Sequence, residues 1–140
     1  MTEPQNNEER FTRTSAHKAE GAHFPLTKAF ACARNGIMHA WRTQRNMRIH
    51  TVVAILAVIL GFILCIDAAS WCAVVICIAL VFALECFNTA VEAVVDLVTS
   101  EYHDLARIAK DCAAGAVYVC AFGAVVVGCI VYIPALVELL

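Results

Sequence analysis

Between Arg48 and Asp67 the chain runs without a formally charged side chain (IHTVVAILAVILGFILCI). That run of about 18 residues makes about 27 Å of helix, just enough to cross the hydrocarbon core of a bilayer. A second uncharged run, AASWCAVVICIALVFAL, begins directly after Asp67. With one residue between them the connection can only be a tight turn outside the bilayer, and the two runs form a helical hairpin. After Glu85 the helical pattern continues through CFNTAVEAVVDLVTS. A charged stretch, EYHDLARIAKD, then leads to a last apolar run from Cys112 to Val137, long enough to tilt. The predicted spans are 49–66, 68–98 and 112–137. Composition agrees, because 61% of the residues are hydrophobic and 16% charged, where a soluble domain has about half and about a quarter. Lipid, not a self-made core, must cover much of the surface.

The N-terminal part is different. Residues 1–25 are predicted to be a polar cytoplasmic tail, since the sequence as far as Gly21 is polar and without periodicity. From Leu26 to Met47, Leu26, Phe30, Ile37 and Trp41 fall within one helical face. Lys28, Arg34, Arg42 and Arg45 lie away from its centre, the pattern of an amphipathic surface helix over 26–47. Arg10, Arg13, Lys18, Lys28, Arg34, Arg42, Arg45 and Arg48 precede the first span, Arg107 and Lys110 lie between the second and third, and no Lys or Arg lies elsewhere. By the positive-inside rule the N-terminus and the second loop are cytoplasmic and the C-terminus is outside. The expected fold is an all-α membrane protein with three transmembrane helices plus the surface helix, a single domain over 26–140.

Several function classes are set aside by the same reading. The formal net charge of -2 argues against nucleic acid as a partner, which takes a basic face. Of the eight cysteines none forms a CxxC pair and most lie in apolar runs, so they read as small hydrophobes, not zinc ligands. A Cys65 to Cys72 bridge on the outer side is the alternative. No signal peptide is expected, because the first apolar run follows a long polar and charged segment.

The chemistry concentrates in Glu85-Cys-Phe-Asn88-Thr-Ala-Val-Glu92-Ala-Val-Val-Asp96. With Glu85 as zero, Asn88 falls at about 300°, Glu92 at about 340° and Asp96 at about 20°, so the four share one helical face. Glu85 sits about 22 Å along its helix from the outer turn, so the stripe runs from the inner membrane boundary into the cytoplasm. Acidic side chains inside a membrane helix cost about 2.5 to 3.5 kcal/mol each at the centre and usually mark a functional pathway. Asp96 reads equally well as the solvated end of an amphipathic helix. Glu85 does not, since Ala83, Leu84, Cys86 and Phe87 surround it and no basic residue stands within a helical turn. It is suited to accept or share a proton. Glu92, with Asn88 one turn away, offers hard oxygen ligands for Mg²⁺.

The chain has neither GxxxxGK[ST] nor GxGxxG, which excludes the soluble nucleotide-binding folds. On the same side of the membrane as the stripe stand Glu101, Tyr102, His103, Arg107, Lys110 and Asp111. Phosphoryl transfer demands mainly positioning and charge neutralisation, which such a set can supply. A solvated loop explains His103 and Arg107 as well.

At these motifs the chain resembles the prokaryotic integral-membrane diacylglycerol kinase and undecaprenol kinase family, over about residues 26 to 135. The resemblance is carried by Glu85-x-x-Asn88-Thr-Ala-Val-Glu92-Ala-Val-Val-Asp96, Glu101-Tyr102-His103, Ala109-Lys110-Asp111-x-Ala-Ala-Gly-Ala and Arg45-Asn46-Met47-Arg48-Ile49-His50. It implies an ATP-dependent lipid kinase in the bacterial inner membrane, a homotrimer with active sites between subunits. Glu85 is then the general base, with Asn88 ordering the catalytic constellation. Glu92 holds Mg²⁺ on the ATP phosphates, and Glu101, Tyr102, His103, Lys110 and Asp111 line the nucleotide site. Where the family often has a second metal-binding glutamate before the first span, this chain has Gln44, a neutral amide that can still offer one oxygen to Mg²⁺ at the nucleotide site but contributes no charge. The Arg-Asn-Met-Arg-Ile-His and Ala-Ala-Gly-Ala runs look more like the undecaprenol kinases, so undecaprenol is the expected substrate and diacylglycerol the alternative. The rival from another class is a non-enzymatic subunit whose stripe binds a divalent cation, and a third reading is a purely structural oligomeric membrane protein.

Overall fold

A computed structural model describes residues 26–139, and the tail expected over residues 1–25 lies outside them. The described chain is helical throughout its regular structure: α1 (Leu26–Thr43), α2 (Arg45–Ile63), α3 (Ala68–Val98) and α4 (Asp104–Leu139). The last three are long and apolar enough to cross a membrane. By compactness the chain divides after Arg34, within α1, and α2, α3 and α4 belong wholly to the second unit.

The turn between α2 and α3 is built from local chemistry. The Ile66 N–H donates to the Gly61 carbonyl at 3.2 Å and the Cys65 N–H to that of Phe62 at 3.3 Å, which together satisfy the end of α2 as a Schellman motif. The motif needs a left-handed residue, and Cys65 takes that conformation at φ 50° in a place where glycine is usual. Asp67 then caps α3, accepting from the Ala69 N–H at 2.8 Å, the Ser70 N–H at 3.1 Å and the Ser70 hydroxyl at 2.7 Å. Those bonds, the Ser70 hydroxyl foremost, hold the Asp67 carboxyl below its usual range. Trp71 follows one turn later and packs its ring over Phe62, with centroids 4.8 Å apart. It also lies over Gly61, where an added Cβ would stand 2.9 Å from its Cη2 atom.

Within the second unit α3 and α4 pair most extensively, and α2 rests on both. Across that bundle the Tyr132 hydroxyl donates to the Ala57 carbonyl at 2.9 Å, tying α4 to α2. On α3 the buried residues are Val74, Val81, Glu85 and Asn88, which share one face, so the apolar interior stripe runs directly into the polar one. Ala113 and Val117 are the buried residues of α4. Most large apolar side chains, Ile55, Phe87, Phe122 and Val125 among them, remain exposed. A single chain therefore leaves the apolar surface that lipid or further chains must cover.

Two helix boundaries differ from the sequence expectation. The surface helix was expected to reach Met47 and the first span to begin at residue 49. Instead α1 ends at Thr43, Gln44 is extended at φ -95° and ψ 121°, and α2 starts at Arg45. The reason is tertiary, because the Gln44 side chain is engaged by Glu92 of α3. At the third span the helix begins at Asp104, ahead of Cys112. There His103 Nδ1 accepts the Leu105 N–H at 3.2 Å as an N-cap, and the Arg107 to Asp111 pair at 2.9 Å braces the added turns. No disulfide links Cys65 and Cys72, both of which are free.

Candidate active site

The polar stripe of α3 meets residues from α2 and α4 at one end of the helix bundle. Glu85 is its most enclosed member, with a side chain only 2% exposed. His50 of α2 faces it, its Nε2 3.3 Å from Glu85 Oε1. The two are within ion-pair reach, yet Oε1 has no hydrogen-bond partner, nor does the buried Oδ1 of Asn88. Two oxygens on one helical face are thus buried without a donor, a condition that costs free energy unless a ligand or substrate completes it. The Glu85 main-chain carbonyl is satisfied twice over, by the helix and by the Thr89 hydroxyl at 2.9 Å.

One turn further along α3, Asn88 Nδ2 donates to Glu92 Oε1 at 3.2 Å and Gln44 Nε2 donates to Glu92 Oε2. Both oxygens of Glu92 are therefore held by amides. The cavity beside this group measures about 450 Å³ and is lined by Asn46 and His50 of α2, Glu85 and Asn88 of α3, and the small residues Ala114 and Gly115 with Tyr118 of α4. Asp96 lies about 6 Å beyond Glu92 along the same helix face. It receives an ion pair from Lys110 of α4. That pair opens a second cavity, of about 340 Å³, which Glu101, Tyr102, His103, Arg107, Lys110 and Asp111 line.

The residues singled out from the sequence thus fall into two groups. Glu85 and Asn88 line the first cavity, and Asn88 and Gln44 each donate a hydrogen bond to Glu92. Glu101, Tyr102, His103, Lys110 and Asp111 line the second. The two cavities share no lining residue. The α3 stripe is what joins them, carrying Glu85 at one and Asp96 at the other. His50 and Asn46 are members of the first cavity to which sequence reasoning gave no role. The available signal was His50 itself, the one ionisable side chain apart from cysteine in the first uncharged run.

For a divalent cation the donors are oxygens: the Glu92 carboxylate, the unpartnered Asn88 Oδ1 and, after a half-turn of its amide, Gln44 Oε1. Among the described residues no group of three or more His, Cys, Asp or Glu stands close enough to hold a metal unaided. This donor set fits Mg²⁺, which typically takes one or two carboxylates and completes its shell with water and substrate phosphates. It does not fit a closed structural zinc site.

Residues 31–132 match the family described as Prokaryotic diacylglycerol kinase. The chain is similar to a diacylglycerol kinase of Synechocystis sp., 42% identical over 116 residues, which cover 82% of this chain and 66% of that protein. It is also similar to an undecaprenol kinase of Bacillus subtilis, 39% identical over 109 residues, covering 78% of this chain and 89% of the relative. A diacylglycerol kinase of Escherichia coli is 35% identical over 105 residues, covering 75% and 86%. The chain therefore belongs to the prokaryotic diacylglycerol kinase family, a family of lipid kinases, as the resemblance of its motifs implied.

Proposed function

We propose that this protein transfers the γ-phosphate of ATP to the hydroxyl of a membrane lipid alcohol, with undecaprenol as the substrate. The observation that carries the reading is a buried carboxylate, Glu85, whose Oε1 lacks a hydrogen-bond donor in a cavity large enough for a headgroup. A lipid hydroxyl is such a donor. Glu85 accepts its proton as the oxygen attacks, and the apolar helices leave that oxygen few water competitors. Asn88 and Gln44 each hold one oxygen of the Glu92 carboxylate beside that cavity. Glu92, with Asn88 Oδ1 and Gln44 Oε1, would hold Mg²⁺, which when bound neutralises phosphate charge.

Lys110, His103, Tyr102, Glu101 and Asp111, together with Arg107, form the nucleotide site in this reading. Lys110 and Arg107 are each paired with a carboxylate, Asp96 and Asp111. Both pairs are substantially exposed, so they are weak and can exchange partners for phosphate at little cost. The enzyme is a homotrimer in the bacterial cell membrane, with the N-terminus cytoplasmic and the C-terminus outside. The exposed apolar faces of α2, α3 and α4 support both lipid contact and self-association. Helix α1 lies along the inner surface, and neighbouring subunits close the nucleotide site over the stripe.

The choice of undecaprenol rests on the Arg45 to His50 run and on Ala113-Ala114-Gly115-Ala116. A diacylglycerol substrate is the second reading, favoured by the 42% identity to a relative named for that activity. Offering both lipids together to purified protein with Mg·ATP tests the choice, and preferential formation of diacylglycerol phosphate would reverse it. The base assignment is tested by Glu85→Gln, which should lose nearly all turnover while still binding ATP. Wild-type turnover in that variant removes the assignment. ATP consumption that does not rise when lipid is added would favour the cation-binding alternative instead.

A further inference from the structure

If Glu85 takes a proton in every turnover, that proton has to leave a side chain that is 2% exposed. Three helices surround the carboxyl. From its own helix come Cys86 next to it and Glu92 two turns on, whose carboxylate oxygens are already engaged by the Asn88 and Gln44 amides. From α4 the same cavity receives Ala114, Gly115, Val117, Ala121 and Tyr118, of which only Tyr118 is ionisable. From α2 come Asn46 and His50.

His50 differs from all of these in position. Its Nε2 is 3.3 Å from Glu85 Oε1, and its side chain is 23% exposed, so it reaches from the enclosed carboxyl toward the outside of the bundle. It also lines a neighbouring apolar cavity of about 340 Å³ between α2, α3 and α4, and so stands where the polar and apolar spaces meet. Its turn of α2 is fixed by Met47, which is buried, and by the Thr51 hydroxyl donating to the Met47 carbonyl at 2.8 Å. An imidazole held this way can accept a proton on one nitrogen while releasing one from the other.

We infer that His50 is a positioning and proton-relay residue for Glu85, an inference that rests on Glu85 being the base. During transfer the lipid oxygen forms a bond to the γ-phosphorus, and the bond from that phosphorus to the oxygen bridging to the β-phosphate breaks, releasing ADP. The hydroxyl proton passes to Glu85. Neutral His50, with its hydrogen on Nδ1, then takes that proton on Nε2 and gives up the Nδ1 hydrogen to water. Exchange of one proton off Nε2 and one onto Nδ1 with solvent restores the starting tautomer before the next turnover. Glu85 is returned to the carboxylate, and the net release is one proton per phosphate transferred.

The test uses the full chain in detergent micelles with Mg·ATP and undecaprenol. General acid–base groups contribute about a hundredfold or more, so His50→Ala and His50→Gln should each lower kcat by roughly that factor. The KM values for ATP and lipid should stay within about twofold, because the role assigned to His50 is to carry the transferred proton and not to bind either substrate. Added imidazole should restore turnover to His50→Ala, where it has space, and not to His50→Gln, where the amide fills it. Wild-type kcat in either variant overturns the relay, as does a slow His50→Ala enzyme that imidazole leaves slow. Should Glu85→Gln be inactive while both His50 variants turn over normally, the relay alone falls. An active Glu85→Gln would remove the base and the relay together.

Discussion

Helix α3 has one carboxylate at its start and another just past its middle, and the two are treated in opposite ways. Asp67 is exposed and fully occupied, holding two backbone N–H groups and a hydroxyl at the start of the helix. Glu85, further along the same helix, is buried beside His50 with Oε1 lacking a hydrogen bond. Local sequence supplies everything Asp67 needs, since its partners lie two and three residues away. Glu85 has no such partners, and the fold tolerates an incompletely bonded polar group that most buried positions would not. A carboxylate whose bonds are complete serves the fold, whereas one kept incomplete at a cost is available to a substrate.

The largest effect should come from Glu85. Glu85→Gln keeps the shape and removes the acceptor for a proton, so kcat should fall by about a hundredfold or more. Thermal stability, followed as the unfolding midpoint in detergent, should hold or rise, because an amide is less costly than a carboxylate to bury without full hydrogen bonding. Loss of both activity and stability would mean that Glu85 belongs to the fold, as Asp67 does, and the contrast between them would disappear.

Gln44→Glu comes next. The variant sets two carboxylates where an amide now donates to Glu92. Without metal they repel, and with Mg²⁺ each contributes charge as well as an oxygen. Titration of activity against Mg²⁺ should show half-saturation at several-fold lower concentration, and the metal-free protein should unfold at lower temperature. An unchanged Mg²⁺ titration would take Gln44 out of the proposed ligand set.

How much of this was readable in advance follows from where each determinant lies. The three spans were legible because uncharged runs are one-dimensional features, and α3 over 68–98 was the clearest, bounded by Asp67 at its start. The alignment of Glu85, Asn88, Glu92 and Asp96 was legible for the same reason, since a helix fixes its own angular spacing. What could not be read was the rotation of one helix against another. That rotation sets His50 beside Glu85, and it brings Gln44 to Glu92 across 48 residues, breaking α1 from α2 where helical periodicity alone continues. The close approach of Trp71 to Gly61 was hidden in the same way, because it depends on how tightly the hairpin closes.

That hairpin supplies the smaller effects. Gly61→Ala would press a methyl group to 2.9 Å from the Trp71 ring, which is held on its other contact by Phe62. Overpacking of this kind typically costs about 1 to 3 kcal/mol, and kcat should be unchanged in the folded fraction. A drop in kcat with an unaltered unfolding midpoint would show that the hairpin and the site are coupled.

Asp67→Ala should cost least, because the residue is exposed and water can replace part of what the carboxylate does for Ala69 and Ser70. The Ser70 hydroxyl and the backbone N–H groups hold its carboxyl below the usual carboxylate range. A carboxyl depressed in the folded state contributes in full above its unfolded pKa, and that contribution is lost as pH falls through the lower folded value. The unfolding midpoints of wild type and Asp67→Ala should therefore differ slightly at neutral pH and converge in strong acid, below the carboxylate range. Asp67→Asn, which still offers an oxygen to the Ala69 N–H, should fall between them at neutral pH and show no acid dependence of its own. If the gap between wild type and Asp67→Ala persisted unchanged into strong acid, the cap would owe nothing to its charge. Asp67 and Glu85 would then differ in burial alone, and the inference drawn from the unfilled oxygen of Glu85 would have to stand without its counterpart.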